Sequence, residues 1–412
     1  MLLSGMAGLL PPPHDAAGNG KRVYPATPAS VRHVNRSIVM NLVRLHQPVS
    51  RAQLSEITGI YRSSISEIVD ELLTEGLLVE RLSSPTGRGR VPIHLSLNPN
   101  GYCVLGVSVR PFQTFVALSG LNGTVDRVVS FRTPRRPAIL LKELGKAVDQ
   151  LRSSVSGQGC KDIRQVGIGV PGLVNATTGV ISMVPSLPEY ADFPIGPEVQ
   201  KLFGVPILAD NDCNIGALAE LWMNASEVAD LRDFVFLEIG DVGVGAGIVL
   251  NGSLYRGQDT AWVGEFGHMV VNPNGPKCGC GRRGCWERYV SDEATWADYD
   301  PDSKYDPVRF EELIRQARDA REPRALKAFR QKAEWLSLGI SNISVGLNPQ
   351  TVVIAGEITK LWTLVEGVVQ SRWAGSDLTI RVRPALQALD QLSLVGALAL
   401  ALSDKFGTPK LG

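Results

Sequence analysis

Cys278-Gly279-Cys280-Gly281-Arg282-Arg283-Gly284-Cys285-Trp286-Glu287, preceded by Glu265-Phe266-Gly267-His268, is the stretch on which the reading of this 412-residue chain turns. Three of the six cysteines fall there, on a glycine-rich loop whose small residues let the backbone wrap closely round an ion. His268, ten residues before Cys278, is the natural fourth ligand. Three thiolates and an imidazole are a tetrahedral, structural zinc composition, and four filled positions leave none for an attacking water. The spacing predicts Zn2+ on His268, Cys278, Cys280 and Cys285 in a structural role. The remaining cysteines, Cys103, Cys160 and Cys213, have apolar neighbours and read as buried thiols. Met1 to Leu10 lacks the basic start of a secretory signal and runs into Pro11-Pro12-Pro13. The expected setting is a reducing cytoplasm, with metal chemistry rather than a disulfide.

Around this loop the pattern is α/β. Cys103 to Val109, Thr114 to Ser119 and Thr124 to Phe131 read as strands, with Asn122-Gly123 as a hairpin turn. A helix over Ala138 to Ser156 and a buried strand, Gln165 to Val170, follow. A related layout returns at Phe234 to Ile239 and Gly245 to Leu250, with a turn at Asn251-Gly252 and a strand from His268 to Val271. Two such starts with helices between predict two similar lobes facing a cleft, where ligands sit outside the strand ends. The first lobe is placed at 101–209 plus 392–405 and the second at 210–391. The tail adds helices over Arg324 to Leu347, Leu361 to Gln370 and Leu392 to Leu402, and a strand over Thr351 to Ala355.

Residues 1–29 are rich in Pro, Gly and Ala without periodicity and read as a disordered arm. Residues 31–98 read as a winged helix-turn-helix. Helices run over Val31 to Leu45, over Ser50 (as N-cap) to Thr58, and over Tyr61 to Thr74, with breaks at Gly59 and Gly76. Strands Leu77 to Leu82 and Val91 to Leu97 flank a polar loop. The formal net charge is only +1, so nucleic-acid binding has to come from local placement of basic residues. The third helix exposes Arg62, Ser63, Ser64, Ser66 and Glu67 opposite its apolar stripe. Arg62 suits guanine, Glu67 suits cytosine N4, and short hydroxyls allow close approach. Arg44 and Arg51 suit phosphates, and Arg88 and Arg90 of the wing suit a minor groove. The partner these residues predict is double-stranded operator DNA.

Taken together, the motifs resemble the ROK family (repressor, open reading frame, kinase). Besides the two runs quoted first, Gly169-Val170-Pro171-Gly172, Asp210-Asn211-Asp212 and Asn251-Gly252-Ser253-Leu254-Tyr255-Arg256-Gly257 match it, and the resemblance spans 31 to about 403. It implies a two-lobed, actin-like, sugar-kinase-like α/β fold behind the winged helix of the repressor branch. It further implies that Asn211, Asp212, Glu265, His268 and Glu287 hold a sugar or sugar derivative. Asp212 matches the aspartate that deprotonates the attacking hydroxyl in family kinases. His268 would then serve metal and sugar together.

The chain also departs from the kinase pattern. Family kinases open the body with Asp-x-Gly-Gly-Thr, whereas this chain has Gly106-Val107-Ser108-Val109-Arg110-Pro111-Phe112. Ser108 replaces the acid, and Pro111 has no N–H with which to cradle phosphate. The second loop, Gly240 to Gly247, carries Asp241, whose charge disfavours phosphate. Ser186 stands where the family often has a sugar-contacting asparagine, which leaves the sugar open. The expectation is a non-enzymatic, sugar-responsive, homo-oligomeric repressor, at least dimeric. The rivals are an ATP-dependent sugar kinase with an added DNA-binding domain and a repressor controlled by a protein partner.

Overall fold

A computed structural model of the chain describes residues 28–82, 93–125, 127–153, 162–223, 232–257, 262–373 and 380–407. Residues 1–27 of the arm expected over 1–29 and the loop with Arg88 and Arg90 lie outside them, while residues 28 and 29 belong to the first helix and not to the arm. The first elements are α1 (Pro28–His46), α2 (Arg51–Thr58) and α3 (Arg62–Thr74), then β1 (Leu78–Leu82) paired antiparallel with β2 (Ile93–Leu97). Ser50 and Gln53 form a reciprocal capping box at the start of α2, and Gly59 leaves it in the left-handed region at φ 68°. Met40, Val43, Leu54, Ile65, Val69, Leu72 and Leu95 close a core over these elements. That core runs on into Leu398, Leu402 and Phe406 from the far end of the chain.

The body holds two sheets of matching topology. The first is ordered β5-β4-β3-β6-β9, from β3 (Cys103–Val109), β4 (Gln113–Ser119), β5 (Arg127–Arg132), β6 (Ile163–Val170) and β9 (Ile207–Asn211). Between them come α4 (Pro137–Ser153), the small pair β7 (Leu173–Asn175) and β8 (Val180–Met183), and α5 (Ile195–Phe203). The second is ordered β12-β11-β10-β13-β14, from β10 (Phe234–Ile239), β11 (Val244–Leu250), β12 (Ser253–Tyr255), β13 (Thr351–Gly356) and β14 (Arg381–Pro384). In each sheet the first three strands are antiparallel and the last two join in parallel. The central strand β3 is buried throughout, as a continuous apolar run requires, while edge strand β5 alternates, with Val128, Ser130 and Arg132 exposed and Val129 and Phe131 half-buried. α6 (Asp212–Met223) lies between the sheets against the C-terminal α12 (Leu389–Phe406). The second sheet is covered by α7 (Glu287–Val290), α8 (Asp292–Tyr299), α9 (Pro307–Arg315), α10 (Pro323–Leu347) and α11 (Trp362–Gln370).

Three expectations need correction. The strand predicted from His268 to Val271 is absent. Phe266–His268 form a 3-10 turn, and only Val270 makes a bridge, to Cys285, because the cysteine loop folds back on this segment. The strand expected from Thr124 begins at Arg127. Cys103, expected as a free thiol, is disulfide-bonded, its partner lying outside the described residues. Among the described residues no helix is long and apolar enough to cross a membrane.

Candidate functional site

Strand β9 ends at Asn211 and α6 begins at Asp212, which puts an amide and a carboxylate on the turn between the two sheets. Asn211 Oδ1 accepts from the Cys213 N–H at 2.8 Å, and Nδ2 donates to the Gly172 carbonyl at 2.7 Å. Asp210, behind it, accepts from the Asn211 N–H at 2.8 Å and from Asn214 Nδ2 at 2.7 Å, and pairs with Arg256 at 2.7 Å. Asp210 was read only as part of a motif. The structure gives it the role of tying β12 to the Asn211 turn.

Burial, with the Glu238 carboxylate nearby, pushes Asp212 up to about 7 against the pull of Arg110. Arg110, at the end of β3, reaches Glu238 on β10 at 3.2 Å and Asp390 at the start of α12 at 3.5 Å. Neither acid was singled out in the sequence. Glu238 had a signal, being a carboxylate inside a strand otherwise buried and apolar. Ser108 is buried and donates to Ser393 Oγ at 2.9 Å. Asp241 accepts from the Tyr305 hydroxyl at 2.8 Å.

The cysteine loop turns back on itself through Cys278 N–H to Arg282 O (2.8 Å) and Gly284 N–H to Pro276 O (2.9 Å). Gly284 has φ 68°, and a Cβ there would stand 1.5 Å from the Asn272 carbonyl oxygen, so glycine is required. Trp286, fully buried, anchors the loop by donating to the Trp335 carbonyl at 2.8 Å. The ligand atoms of His268, Cys278, Cys280 and Cys285 all lie within 4.8 Å of one another. Cys280 and Cys285 sulfurs are 3.5 Å apart, and Cys278 Sγ is 3.7 Å from His268 Nδ1. The edges of a zinc-centred tetrahedron measure about 3.5–3.8 Å, so the donor set and these two edges fit Zn2+. Nδ1 faces the sulfurs, while Nε2 lies 3.7 Å from Glu265 Oε2, the arrangement in which a carboxylate orients a ligating imidazole. Glu287 Oε1 is 2.9 Å from Cys278 Sγ and 3.5 Å from His268 Nδ1.

On α3, Arg62, Ser63 and Glu67 are exposed as expected, whereas Ser64 and Ser66 are half-buried. Tyr61, just before α3 and 84 % exposed, was missed as a contact candidate; its signal was an aromatic residue off the apolar stripe. Glu67 lies 3.7 Å from Arg32. Two arginines depart from expectation. Arg51 is committed to Asp70 at 2.8 Å and Glu80 at 2.9 Å, both close in space to the start of α2. Arg44 points into the body, over the Trp222 ring at 4.1 Å, rather than outward to a phosphate.

Two sheets of like topology, a helix between them that starts on Asp212, and a Cys3His cluster define an actin-like α/β body of the sugar-kinase type. The ROK family model matches residues 105–404, and the chain belongs to the ROK family. It is 28% identical over 399 residues to the putative xylose repressor of Caldicellulosiruptor sp. (strain Rt8B.4), covering 92% of this chain and 98% of that one. Its fold is similar to that of a ROK family transcriptional regulator described as a homologue of the E. coli MLC protein. There the TM-score is 0.76 at 24% identity, with 91% of this chain and 98% of that one covered. A ROK family glucokinase from Streptomyces griseus, in complex with glucose and AMPPNP, aligns with TM-score 0.62 at 23% identity. It covers 73% of this chain and 99% of its own.

Proposed function

We propose that the protein is a sugar-responsive, DNA-binding transcriptional repressor that acts in the cytoplasm as a homodimer or larger homo-oligomer. Residues 31–98 are its winged helix-turn-helix, with Arg62, Ser63, Ser64 and Glu67 of α3 at base edges and Arg88 and Arg90 on the wing. The division into lobes at 101–209 with 392–405, and 210–391, belongs to the same reading. The observation that carries it is the exposed N-terminal end of α3 standing ahead of a ROK body. The repressor-type relatives extend over both parts, whereas the glucokinase aligns with 73% of the chain.

Asn211, Asp212, Glu265, His268 and Glu287 hold the sugar, their carboxylates accepting from hydroxyls and the amide serving either way. A wrong epimer leaves a buried acceptor unpaired. Zn2+ on His268, Cys278, Cys280 and Cys285 supplies a structural cross-link that fixes the imidazole and, beside it, Glu265 and Glu287. The body is a receptor and not a kinase, a reading supported by Arg110, which bridges Glu238 and Asp390 where the family's phosphate loop would lie.

The test selects binding sites for the full-length protein from a randomised DNA pool, then titrates the recovered site against D-xylose, D-glucose and N-acetylglucosamine. D-xylose comes first because the Caldicellulosiruptor relative is named for xylose. A palindromic site whose affinity changes at least about tenfold with one sugar is the expected result. Recovery of no preferred sequence, or a site indifferent to every sugar, overturns the reading.

A further inference from the structure

Asp212 opens α6, and Trp222 lies ten residues on, about 15 Å along the same helix. The guanidinium of Arg44, on α1, stacks 4.1 Å from the Trp222 ring centroid and 5.9 Å from that of Phe406, the last residue of α12. Its Nη1 donates to the Trp222 carbonyl at 3.0 Å, while Nε and Nη2 are buried with no acceptor among the described residues. Trp222 and Phe406 meet edge to face at 5.1 Å. At its other end α12 carries Asp390, 3.5 Å from Arg110 beside Asp212. Two packed helices therefore run from the candidate sugar site to one arginine of the N-terminal unit.

Both helices are held too tightly to bend independently. A Cβ at Gly396 of α12 would stand 1.9 Å from the Ile215 carbonyl oxygen, and one at Gly247 of β11 would stand 2.4 Å from that of Cys213. Beyond Arg44, α1 is tied to α3: Arg32 pairs with Glu71 and lies 3.7 Å from Glu67, and Arg36 donates to Glu75 at 2.6 Å. A shift at the start of α6 is thus carried to Trp222, to α1, and on to the base-reading face of α3. The guanidinium's own contacts are sparse. Stacking and one hydrogen bond hold it among the described residues, while α1 otherwise meets α12 through the shared core and through Asn41 Nδ2, which donates to the Phe406 carbonyl. Two unmet donors favour any second arrangement of the guanidinium that satisfies them.

We propose that Arg44 is the positioning residue that passes the sugar-bound state of the cleft to α3, through α6 and Trp222. The proposal rests on the repressor reading above and adds how its two sites are coupled. The test uses full-length wild type, Arg44→Met, Trp222→Leu and Trp222→Phe. Operator affinity is read by fluorescence anisotropy with and without saturating D-xylose, D-glucose or N-acetylglucosamine in turn, and sugar affinity by calorimetry with and without operator. In wild type the two measurements change by the same factor, as linkage requires. Arg44→Met and Trp222→Leu are expected to bring that factor to within about twofold of one, with each separate affinity within about threefold of wild type. Trp222→Phe, which keeps an aromatic platform, retains most of the coupling. A wild-type coupling factor in both Arg44→Met and Trp222→Leu overturns the proposal. So does either variant, where only one folds, if it keeps that factor. Wild type that binds none of D-xylose, D-glucose and N-acetylglucosamine, or binds them without effect on operator affinity, overturns the repressor reading itself and this coupling with it. Calorimetry on wild type alone distinguishes that failure from failure at Arg44.

Discussion

Glu238 puts a negative charge beside a carboxylate that burial already penalises, and Asp212 responds by holding its proton up to about pH 7. A carboxyl whose value is raised in the folded state adds stability that is complete below the ordinary aspartate value. That stability is lost as pH rises through the folded value. Asp212→Asn keeps the shape and the cap to the Cys213 N–H but removes the charge. The variant should match wild type near pH 4 and exceed it at pH 8 by at least about 1 kcal/mol, the exchange of stability for a functional charge. Urea midpoints at the two pH values check this, and equal midpoints at pH 8 refute it. The cluster around His268 makes a second residue-scale prediction. Purified protein should contain about one zinc per chain. Cys285→Ser should lose it and lower the thermal midpoint by roughly 5 °C, because a structural site stores binding energy as folding energy. Elemental analysis and a melting curve read both; a metal-free variant with an unchanged midpoint rejects the structural role.

At the scale of elements, what the sequence made legible was what local chemistry decides alone. Ser50 and Gln53 sit at capping-box spacing, and the box forms. The Asn251-Gly252 turn adopts positive φ at both residues, as a tight hairpin requires. β3 and β10 run over the residues their apolar patterns mark. Illegible were features set by partners distant in the chain. The His268 segment looks like a strand until the cysteine loop claims its hydrogen bonds. Arg44 and Arg51 look like phosphate ligands until Trp222 lies under one and Asp70 and Glu80 flank the other. Asn211 and Asp212 are marked by resemblance at the turn from β9 to α6, but Glu238 and Asp390, which meet Arg110 beside Asp212, come from a different sheet and the last helix. The contrast between Arg62 and Arg51 is itself testable. Arg62→Ala on the exposed end of α3 should relax base preference at one operator position by about 1–3 kcal/mol. Arg51→Ala should leave that preference unchanged and lower stability slightly through its two lost pairs. Anisotropy on single-base operator variants measures the first effect and a urea midpoint the second. An unaltered preference in Arg62→Ala removes α3 from the base-reading role.

For the whole molecule, the question is whether a kinase-like body proposed to bind sugar also phosphorylates it. Phosphoryl transfer depends mainly on positioning and on neutralising phosphate charge, and a general base supplies only part of the acceleration. By resemblance, Asp212 stands where family kinases have that base. The side chains around it, however, are arranged to hold two sheets together. Arg110 spans from β3 to Glu238 on β10 and to Asp390 on α12. Ser108, which by resemblance replaces the first-loop acid of family kinases, donates to Ser393 of the same helix. Asp241, in the second glycine loop, is fixed by Tyr305 and adds negative charge where phosphates would pass. Freeing Arg110 for a phosphate would leave Glu238, which is only 8% exposed, as an unpaired buried charge, a costly exchange. The protein should therefore show no sugar-dependent ATP turnover with D-xylose, D-glucose or N-acetylglucosamine. A coupled assay with Asp212→Ala as control decides the matter. Turnover on the order of one per second, lost in that variant, would place the protein among ordinary enzymes and overturn its assignment as a receptor.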